Sequence, residues 1–330
     1  MMSPTDGIKE SDMKYKKRKF TPRECLHIYQ RTINGFNIFY DREDALVFYT
    51  IFSVLSKLYN VKVLALCLMV DHVHSLLSSE NLGSISDFVR HYTSLFVSEY
   101  NQSIGRHGPL FHKSFGSAPK VGGKKVRSAI VYIGNNPVEK ALCSKAEEYR
   151  WNFLAYLENE NPFSKYKPSS IFSMKLRRAF AEVKGVQGRN GYLTYGQVRR
   201  MFDGLSEDES ELLTDYIIRL YLPIDRDMLM SYYTSCYDML NAMCSTAGGE
   251  YDIREVFNPG SDKIYEQMVK YIHDELHIFP MRKVITLPEE IKLEIAGLLS
   301  NRLAPSKYEL SKFLHPKSRG RQSSDIEVIR

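Results

Sequence analysis

Two histidines separated by one residue, His72 and His74, are the side chains of this sequence best suited to holding a metal ion. Successive side chains of a β-strand point to opposite faces, so a strand here would place both imidazoles on one surface and Val73 in the core. Such a pair can share a divalent ion, but more often it only hydrogen-bonds. The pair therefore predicts a metal site only in combination with other residues.

A second cluster follows downstream, where Tyr132 and Asn136 are four positions apart. Residues at this spacing lie one turn from each other on a helix, so a phenol and an amide oxygen are presented together. Pro137 predicts that the helix ends at Asn136, and Gly134 weakens its last turn. A buried structural tyrosine would need neither residue, which indicates a functional role for this turn.

The two clusters together predict phosphoryl transfer. Two imidazoles and one amide oxygen leave open positions on a divalent cation, which suits Mg²⁺ or Mn²⁺ better than closed structural zinc. The cation would act as a Lewis acid on a phosphate while a tyrosine hydroxyl attacks the phosphorus. Because the ordinary pKa of tyrosine is about 10, the cation and basic neighbours would have to assist its deprotonation.

The residues around both clusters resemble those of the single-tyrosine HUH transposases, specifically the REP-associated tyrosine transposase branch. The resemblance extends from Arg23 to Leu157. It is carried by four runs, which are His27-x-x-Gln30-Arg31-x-x-Asn34-Gly35, Met69-x-Asp71-His72-Val73-His74-x-Leu76-Leu77, Asn101 followed by Gly108-x-Leu110-Phe111, and Tyr132-Ile133-x-x-Asn136-Pro137-Val138-x-x-Ala141. Together these runs are specific, whereas any one of them would not be.

The resemblance implies a role for each residue of the two clusters. His72 and His74 would be the metal ligands of the HUH motif. Tyr132 would be the nucleophile, and Asn136 would be the third ligand of the Mg²⁺ or Mn²⁺ ion. The implied reaction cuts single-stranded DNA beside a hairpin, keeps a 5′-phosphotyrosine and frees a 3′-OH for strand transfer.

Two residues depart from the family pattern. Asp71 stands where the family usually has Asn, which adds a negative charge beside the metal site, and Gly134 loosens the helix of the nucleophile. Either departure indicates tuned activity or decay. The alternative to an active endonuclease is therefore a domesticated, non-catalytic DNA-binding or regulatory protein that keeps the HUH fold. A replication initiator or relaxase is disfavoured, because no helicase motif accompanies the Tyr-x-x-x-Asn-Pro run.

The charge distribution is consistent with a nucleic-acid partner. The net charge is +6 over 330 residues, and basic clusters are interleaved with aromatic residues, although solvated basic faces would give the same composition. The side chains expected to line the path of single-stranded or hairpin DNA are Arg31, Arg106, Lys113, Lys120, Lys124, Lys125 and Arg127. Tyr92, Phe111 and Phe115 are favoured as core residues over base-stacking platforms.

Hydrophobic periodicity predicts an α+β fold, with a ferredoxin-like antiparallel sheet and a C-terminal all-α domain, and the resemblance implies that the sheet is of the HUH nuclease type. Helices are expected on one face of the four-stranded sheet. The expected strands are 25–30, 61–69, 72–78 and 110–118. The expected helices are 44–58, one capped by Ser84, 124–135, 149–157, 207–220, 226–244, 262–276, 288–299 and 306–314.

Composition shifts divide the chain into five predicted segments. These are a basic flexible tail (1–19), the catalytic domain (20–158), a linker region (159–190), a helical accessory domain (191–316) and a second basic tail (317–330). Capping boxes at Thr286-x-x-Glu289 and Ser306-x-x-Glu309 frame the last two helices. This pair predicts either a helix-turn-helix or, equally, two packed helices without a DNA role.

The sequence also indicates where the protein works. It contains no run of eighteen apolar residues, and the N-terminal residues do not form a signal peptide, so we expect a cytoplasmic protein without membrane contact. Five cysteines without Cys-x-x-Cys spacing argue against a zinc knuckle or a disulfide framework. A monomer and a homodimer are both compatible with the motifs.

Overall fold

A computed structural model of the protein describes residues 20–165, 172–245 and 261–316. The predicted tails, 1–19 and 317–330, lie outside these residues, as does part of the predicted linker. The four strands are β1 (Cys25–Arg31), β2 (Lys62–Leu68), β3 (His72–Ser78) and β4 (Gly116–Lys120). They pair antiparallel in the order β2-β3-β1-β4. This is the ferredoxin-like order, and the predicted α+β class is confirmed.

The sheet lies between two hydrophobic cores. Helices α1 (Arg42–Leu58) and α2 (Leu82–Ile104) cover one face, and α3 (Gly123–Glu139) covers the other. The expectation of helices on one face only is therefore wrong. The reason lies in β2, which is buried at every position after Lys62 and so needs a cover on both sides.

The C-terminal half is helical, as predicted, apart from an isolated bridge between Ile224 and Val63. Its helices are α4 (Met174–Gly188), α5 (Tyr195–Phe202), α6 (Glu207–Leu220), α7 (Arg226–Met230), α8 (Cys236–Ser245), α9 (Lys263–Leu276), α10 (Glu289–Leu303) and α11 (Lys307–Leu314). Helix α4 occupies part of the predicted linker. Within the described ranges, no helix has the length and apolarity that crossing a membrane requires.

Several predicted boundaries differ from the observed ones. Helix α2 begins one turn before Ser84, because the side chain of Asn81 accepts the Ser84 backbone N–H and serves as its cap. The predicted strand 110–118 forms only a bridge at Phe111 before β4 begins. The predicted helix 149–157 is replaced by two short 3₁₀ turns, Ala146–Glu148 and Phe153–Tyr156.

Capping explains two further differences in the C-terminal half. The predicted helix 226–244 is split into α7 and α8. Asp238, in the first turn of α8, accepts hydrogen bonds from the backbone and hydroxyl of Thr234 and so stabilises the start of a new helix. The capping box at Ser306 is confirmed. The box at Thr286 is wrong, because α10 begins after Pro288 and Thr286 ends a 3₁₀ turn.

The prediction that α3 ends at Asn136 is also wrong, because the helix continues beyond Pro137. Side-chain amides donate hydrogen bonds to two backbone carbonyl groups of this turn. Asn136 Nδ2 donates to the Tyr132 carbonyl over 2.9 Å, and Asn152 Nδ2 donates to the Gly134 carbonyl over 2.8 Å. The turn that proline would weaken is thus supported by side-chain donors.

Gly134 allows α3 to approach its neighbours closely. A Cβ atom at this position would lie 2.9 Å from Leu154 Cδ1 and 2.9 Å from Met243 Sδ. Asn135 Nδ2 donates to the Met243 carbonyl over 2.9 Å in the same contact. The glycine therefore leaves room for Leu154 and Met243 against the helix that carries Tyr132.

A buried arginine joins the C-terminal half to α1. Arg282 is fully buried, and its guanidinium bonds Glu43 over 3.0 Å, Asp44 over 3.2 Å and the Ser103 hydroxyl over 2.9 Å. Its plane also lies 3.8 Å from the ring centroid of Tyr195. Because these charged groups are buried together, the contact forms only when the C-terminal half packs against α1 in one position.

We expect Gly134→Ala to lower the free energy of unfolding by about 1–2 kcal/mol, because overpacking against Leu154 and Met243 outweighs the gain in helix propensity. The matched control is Gly297→Ala in α10, where a new Cβ meets nothing within 4 Å. That control should gain about 0.5–1 kcal/mol. Urea denaturation followed by circular dichroism measures both changes. A shift of the same sign for the two variants would contradict the packing argument.

Arg282→Ala should lower the free energy of unfolding by about 3–5 kcal/mol, because it leaves the buried Asp44 carboxyl without its cation and leaves Glu43 only the more distant Arg199, at 3.5 Å. Lys283→Ala, at the exposed neighbouring position, should stay within about 0.5 kcal/mol of the native protein. Chemical denaturation of both variants tests this difference. Equal costs would mean that the ion cluster does not hold the two halves together.

Candidate active site

The paired histidines open β3, on the sheet face that α3 covers. The rings of His72 and His74 are nearly perpendicular, with centroids 4.8 Å apart. His74 is fully buried, whereas the side chain of His72 is 15% exposed to solvent. Val73 points into the opposite core, as strand alternation predicts.

A carboxylate orients the first of these rings. Asp71 Oδ1 lies 2.5 Å from His72 Nδ1, and Asp71 Oδ2 lies 2.7 Å from Lys312 Nζ. Burial alone would raise the pKa of Asp71, but His72 and Lys312 together hold it below its ordinary value. The aspartate is therefore ionised, and its carboxylate can accept a hydrogen bond from the Nδ1–H of His72.

A third histidine, which the sequence-based site did not include, orients the second ring. His27 on β1 places Nε2 3.0 Å from His74 Nδ1. Burial, and then the charge of Lys120, lowers the pKa of His27 to about 3, so its ring is neutral and can accept a hydrogen bond. If His74 Nδ1 donates that bond, its Nε2 carries the lone pair of a metal ligand.

Tyr132, on α3, packs against the rings of His74 and His27. Its ring centroid is 5.4 Å from that of His74 and 5.7 Å from that of His27, edge-on in both cases. The phenol ring is buried, with 8% exposure for the residue. Helix α3 holds it there because Val126 and Ile130 anchor the same helix in the core beneath the sheet. The fold thus brings together three of the four predicted catalytic and metal residues.

The fourth predicted residue, Asn136, lies one turn further along α3 and is buried. Its amide nitrogen donates to the Tyr132 carbonyl, which fixes the side chain beside the backbone of Tyr132. Its assignment as a ligand stays a prediction.

The donor set fits a divalent cation. His72 and His74 are each engaged through Nδ1, and an engaged second nitrogen is the usual way in which proteins orient histidine ligands. Among the residues that the structure describes, no group of three His, Cys, Asp and Glu side chains could hold a metal ion. A third protein ligand would therefore be an amide or another oxygen donor, which is what Asn136 offers.

The predicted DNA-contacting residues divide by their surroundings. Arg31 is exposed at the end of β1, where the ladder pairs it with His72. The exposed basic side chains at the start of α3 and before β4 are Lys113, Lys124, Lys125 and Arg127. These five residues are exposed, and their role in DNA binding stays a prediction.

Arg106 and Lys120 are placed differently. The guanidinium of Arg106 bonds Asn101 Oδ1 over 2.8 Å and the carbonyls of Gly108 and Pro109 over 2.9 and 3.0 Å, which organises its own loop. Lys120 is buried at the end of β4, where its charge acts on His27. To contact DNA, Arg106 would have to give up these hydrogen bonds and Lys120 would have to leave its buried position.

The aromatic residues weighed as stacking platforms belong mainly to the core, as favoured. Tyr92 and Phe111 are buried, and the Tyr92 hydroxyl donates to Gln30 Oε1 over 2.5 Å. Phe115 is half-buried. The partly exposed ring on the site face is instead Tyr29, which neighbours His27 at 5.9 Å and lies directly over Gly116.

Comparison with known proteins agrees with these motifs. Residues 24–136, less than half of the chain, match the model of the IS200-like transposase family. A solved structure of a REP-associated tyrosine transposase bound to a REP hairpin aligns with a TM-score of 0.37 at 12% identity, covering 49% of this chain and 96% of that one. No curated protein matches the chain. Over residues 24–136 the chain is similar to the IS200-like transposases, which confirms the resemblance to single-tyrosine transposases.

Proposed function

We propose that the protein is a metal-dependent endonuclease and strand transferase for single-stranded, hairpin-associated DNA, with Tyr132 as its nucleophile. The observation that carries the proposal is the edge-on packing of the Tyr132 ring against His74 and His27, beside His72. A phenol and paired imidazoles on one sheet face are the groups that phosphotyrosine chemistry requires. The family match over residues 24–136 supports the same activity.

In the proposed reaction, Tyr132 Oη attacks a backbone phosphorus of single-stranded DNA. A bond forms between Oη and phosphorus while the bond from phosphorus to the 3′ oxygen breaks. The phenol gives up its proton and the departing 3′ oxygen gains one, so the exchange of esters is balanced. The products are a 5′-phosphotyrosine and a free 3′-OH, which can attack in the reverse sense and rejoin strands.

His72 and His74, with Asn136, are the residues that would hold the divalent ion. When bound, Mg²⁺ or Mn²⁺ would neutralise negative charge on the scissile phosphate and help to lower the pKa of the attacking phenol. Asp71 and His27 hold the two imidazoles in fixed orientations, so these ligands need little reorganisation. Use of a divalent metal is general in this transposase family.

The DNA strand would approach along the exposed basic side chains. Lys124, Lys125 and Arg127 lie on the helix of Tyr132, and Arg31 lies across the ladder from His72. Their charges would neutralise phosphates on both sides of the scissile position. We assign the hairpin to this surface on the resemblance to the REP-associated branch.

Tyr132→Phe should abolish the covalent adduct between protein and DNA, because the ring is kept and only the attacking oxygen is lost. The assay incubates the full chain with Mn²⁺ and a 5′-single-stranded hairpin oligonucleotide. Denaturing gels detect the adduct, and peptide mass spectrometry locates it.

The matched control is Tyr29→Phe, which removes a hydroxyl from another tyrosine beside His27 and should keep the adduct. An adduct that persists in Tyr132→Phe and disappears in Tyr29→Phe would overturn the assignment. If the native protein binds the oligonucleotide without forming any adduct, the non-catalytic DNA-binding alternative is supported instead.

Removal of the metal should separate binding from chemistry. Chelation by EDTA, or the substitution His74→Ala, is expected to reduce adduct formation by at least about 100-fold. Gel-shift affinity for the same oligonucleotide should change by less than about threefold, because phosphate contacts come from the basic surface. Full adduct formation in EDTA would contradict the metal-dependent mechanism.

A further inference from the structure

A lysine from the C-terminal half reaches the candidate metal site. Lys312 on α11 is buried, and its Nζ lies 2.7 Å from Asp71 Oδ2. The other oxygen of the same carboxylate lies 2.5 Å from His72 Nδ1. The carboxylate therefore bridges an ammonium from the C-terminal half and an imidazole of β3.

The ammonium of Lys312 is held in a defined place. It lies 5.2 Å from the ring centroid of Tyr265 and 5.6 Å from that of Tyr308, within the range of cation–π attraction. The backbone carbonyl of Lys312 also accepts the Asn37 N–H over 2.9 Å. A long side chain anchored at both ends loses the freedom that weakens surface ion pairs.

The end of α11 is fixed to the catalytic half by further contacts. The Tyr40 hydroxyl donates to the Phe313 carbonyl over 2.6 Å, and the ring of His315 stacks on Phe36 at 4.2 Å. His315 Nε2 lies 2.8 Å from the Asn37 carbonyl oxygen. These contacts make the position of Lys312 a property of the docked helix rather than of one flexible side chain.

We infer that Lys312 is a positioning residue for His72. It neutralises the buried charge of Asp71 and holds that carboxylate so that its other oxygen faces His72 Nδ1. The carboxylate of Asp71 places a negative charge beside the paired histidines, and the lysine from α11 compensates for that charge. The inference rests on the proposed function only in taking His72 as a metal ligand.

Two measurements on the full chain test the inference. Selective ¹⁵N-histidine NMR of the metal-free protein reports the protonation and hydrogen bonding of the His72 ring. Isothermal titration with Mn²⁺ alone reports the metal affinity. The variant is Lys312→Met, which keeps the aliphatic length without the charge, and its matched control is Lys307→Met at the exposed start of α11.

Lys312→Met should shift the His72 ring signals and weaken Mn²⁺ binding about tenfold, as loss of an orienting partner typically does. Lys307→Met should leave both readouts unchanged. A Lys312→Met protein with lower thermal stability but native His72 signals and Mn²⁺ affinity would overturn the inference, since the lysine would then be merely structural.

The double variant Asp71→Asn, Lys312→Met shows whether the effect passes through the carboxylate. An amide at position 71 needs no cation, so this variant should unfold at a higher temperature than Lys312→Met and regain most of the Mn²⁺ affinity. An equally impaired double variant would contradict the inference. If the native protein binds no Mn²⁺, the proposed metal function fails, and the His72 signals of the three variants still decide the role of Lys312.

Discussion

The antiparallel pairing of β1 with β3 is the constraint on which the candidate site depends. Its register pairs Tyr29 with His74 and brings Nε2 of His27 to 3.0 Å from Nδ1 of His74. Because side chains alternate along a strand, a slip of β1 by one residue would turn His27 and Tyr29 towards the α1–α2 core and leave His74 on the other face. The hydrogen-bond ladder that builds the sheet therefore also selects the face on which the chemistry lies.

Covering both faces of the sheet places this chemistry in a buried layer. Burial lowers the pKa of His74 well below its ordinary value, and the neutral imidazole is the form that binds metals. Helix α3 can provide the cover and also deliver Tyr132, because Gly134 lets it seat closely against Leu154 and Met243. The close packing of α3 therefore both covers the sheet and positions Tyr132 beside the histidines.

Local patterns predicted much of this arrangement. Strand alternation placed His72 and His74 on one face, and helical periodicity found α1, α6, α9 and α11. His27 could not be found in the same way, because its contact with His74 depends on strand register, which no local pattern encodes. The continuation of α3 past Pro137 was not predicted either, and in that turn the Gly134 carbonyl accepts a hydrogen bond from Asn152, which lies outside the helix. The local sequence pattern encodes neither contact.

Buried charges join the C-terminal half to the N-terminal half. Arg282 meets Glu43 and Asp44 on α1, Arg150 meets Asp215 on α6, and Lys312 meets Asp71 beside the paired histidines. Buried ion pairs contribute little net stability over apolar contacts, but a misplaced partner leaves a charge unpaired at high cost. Such contacts favour one docking geometry over its neighbours. The helical half is therefore better described as part of the site's scaffold than as an appended module.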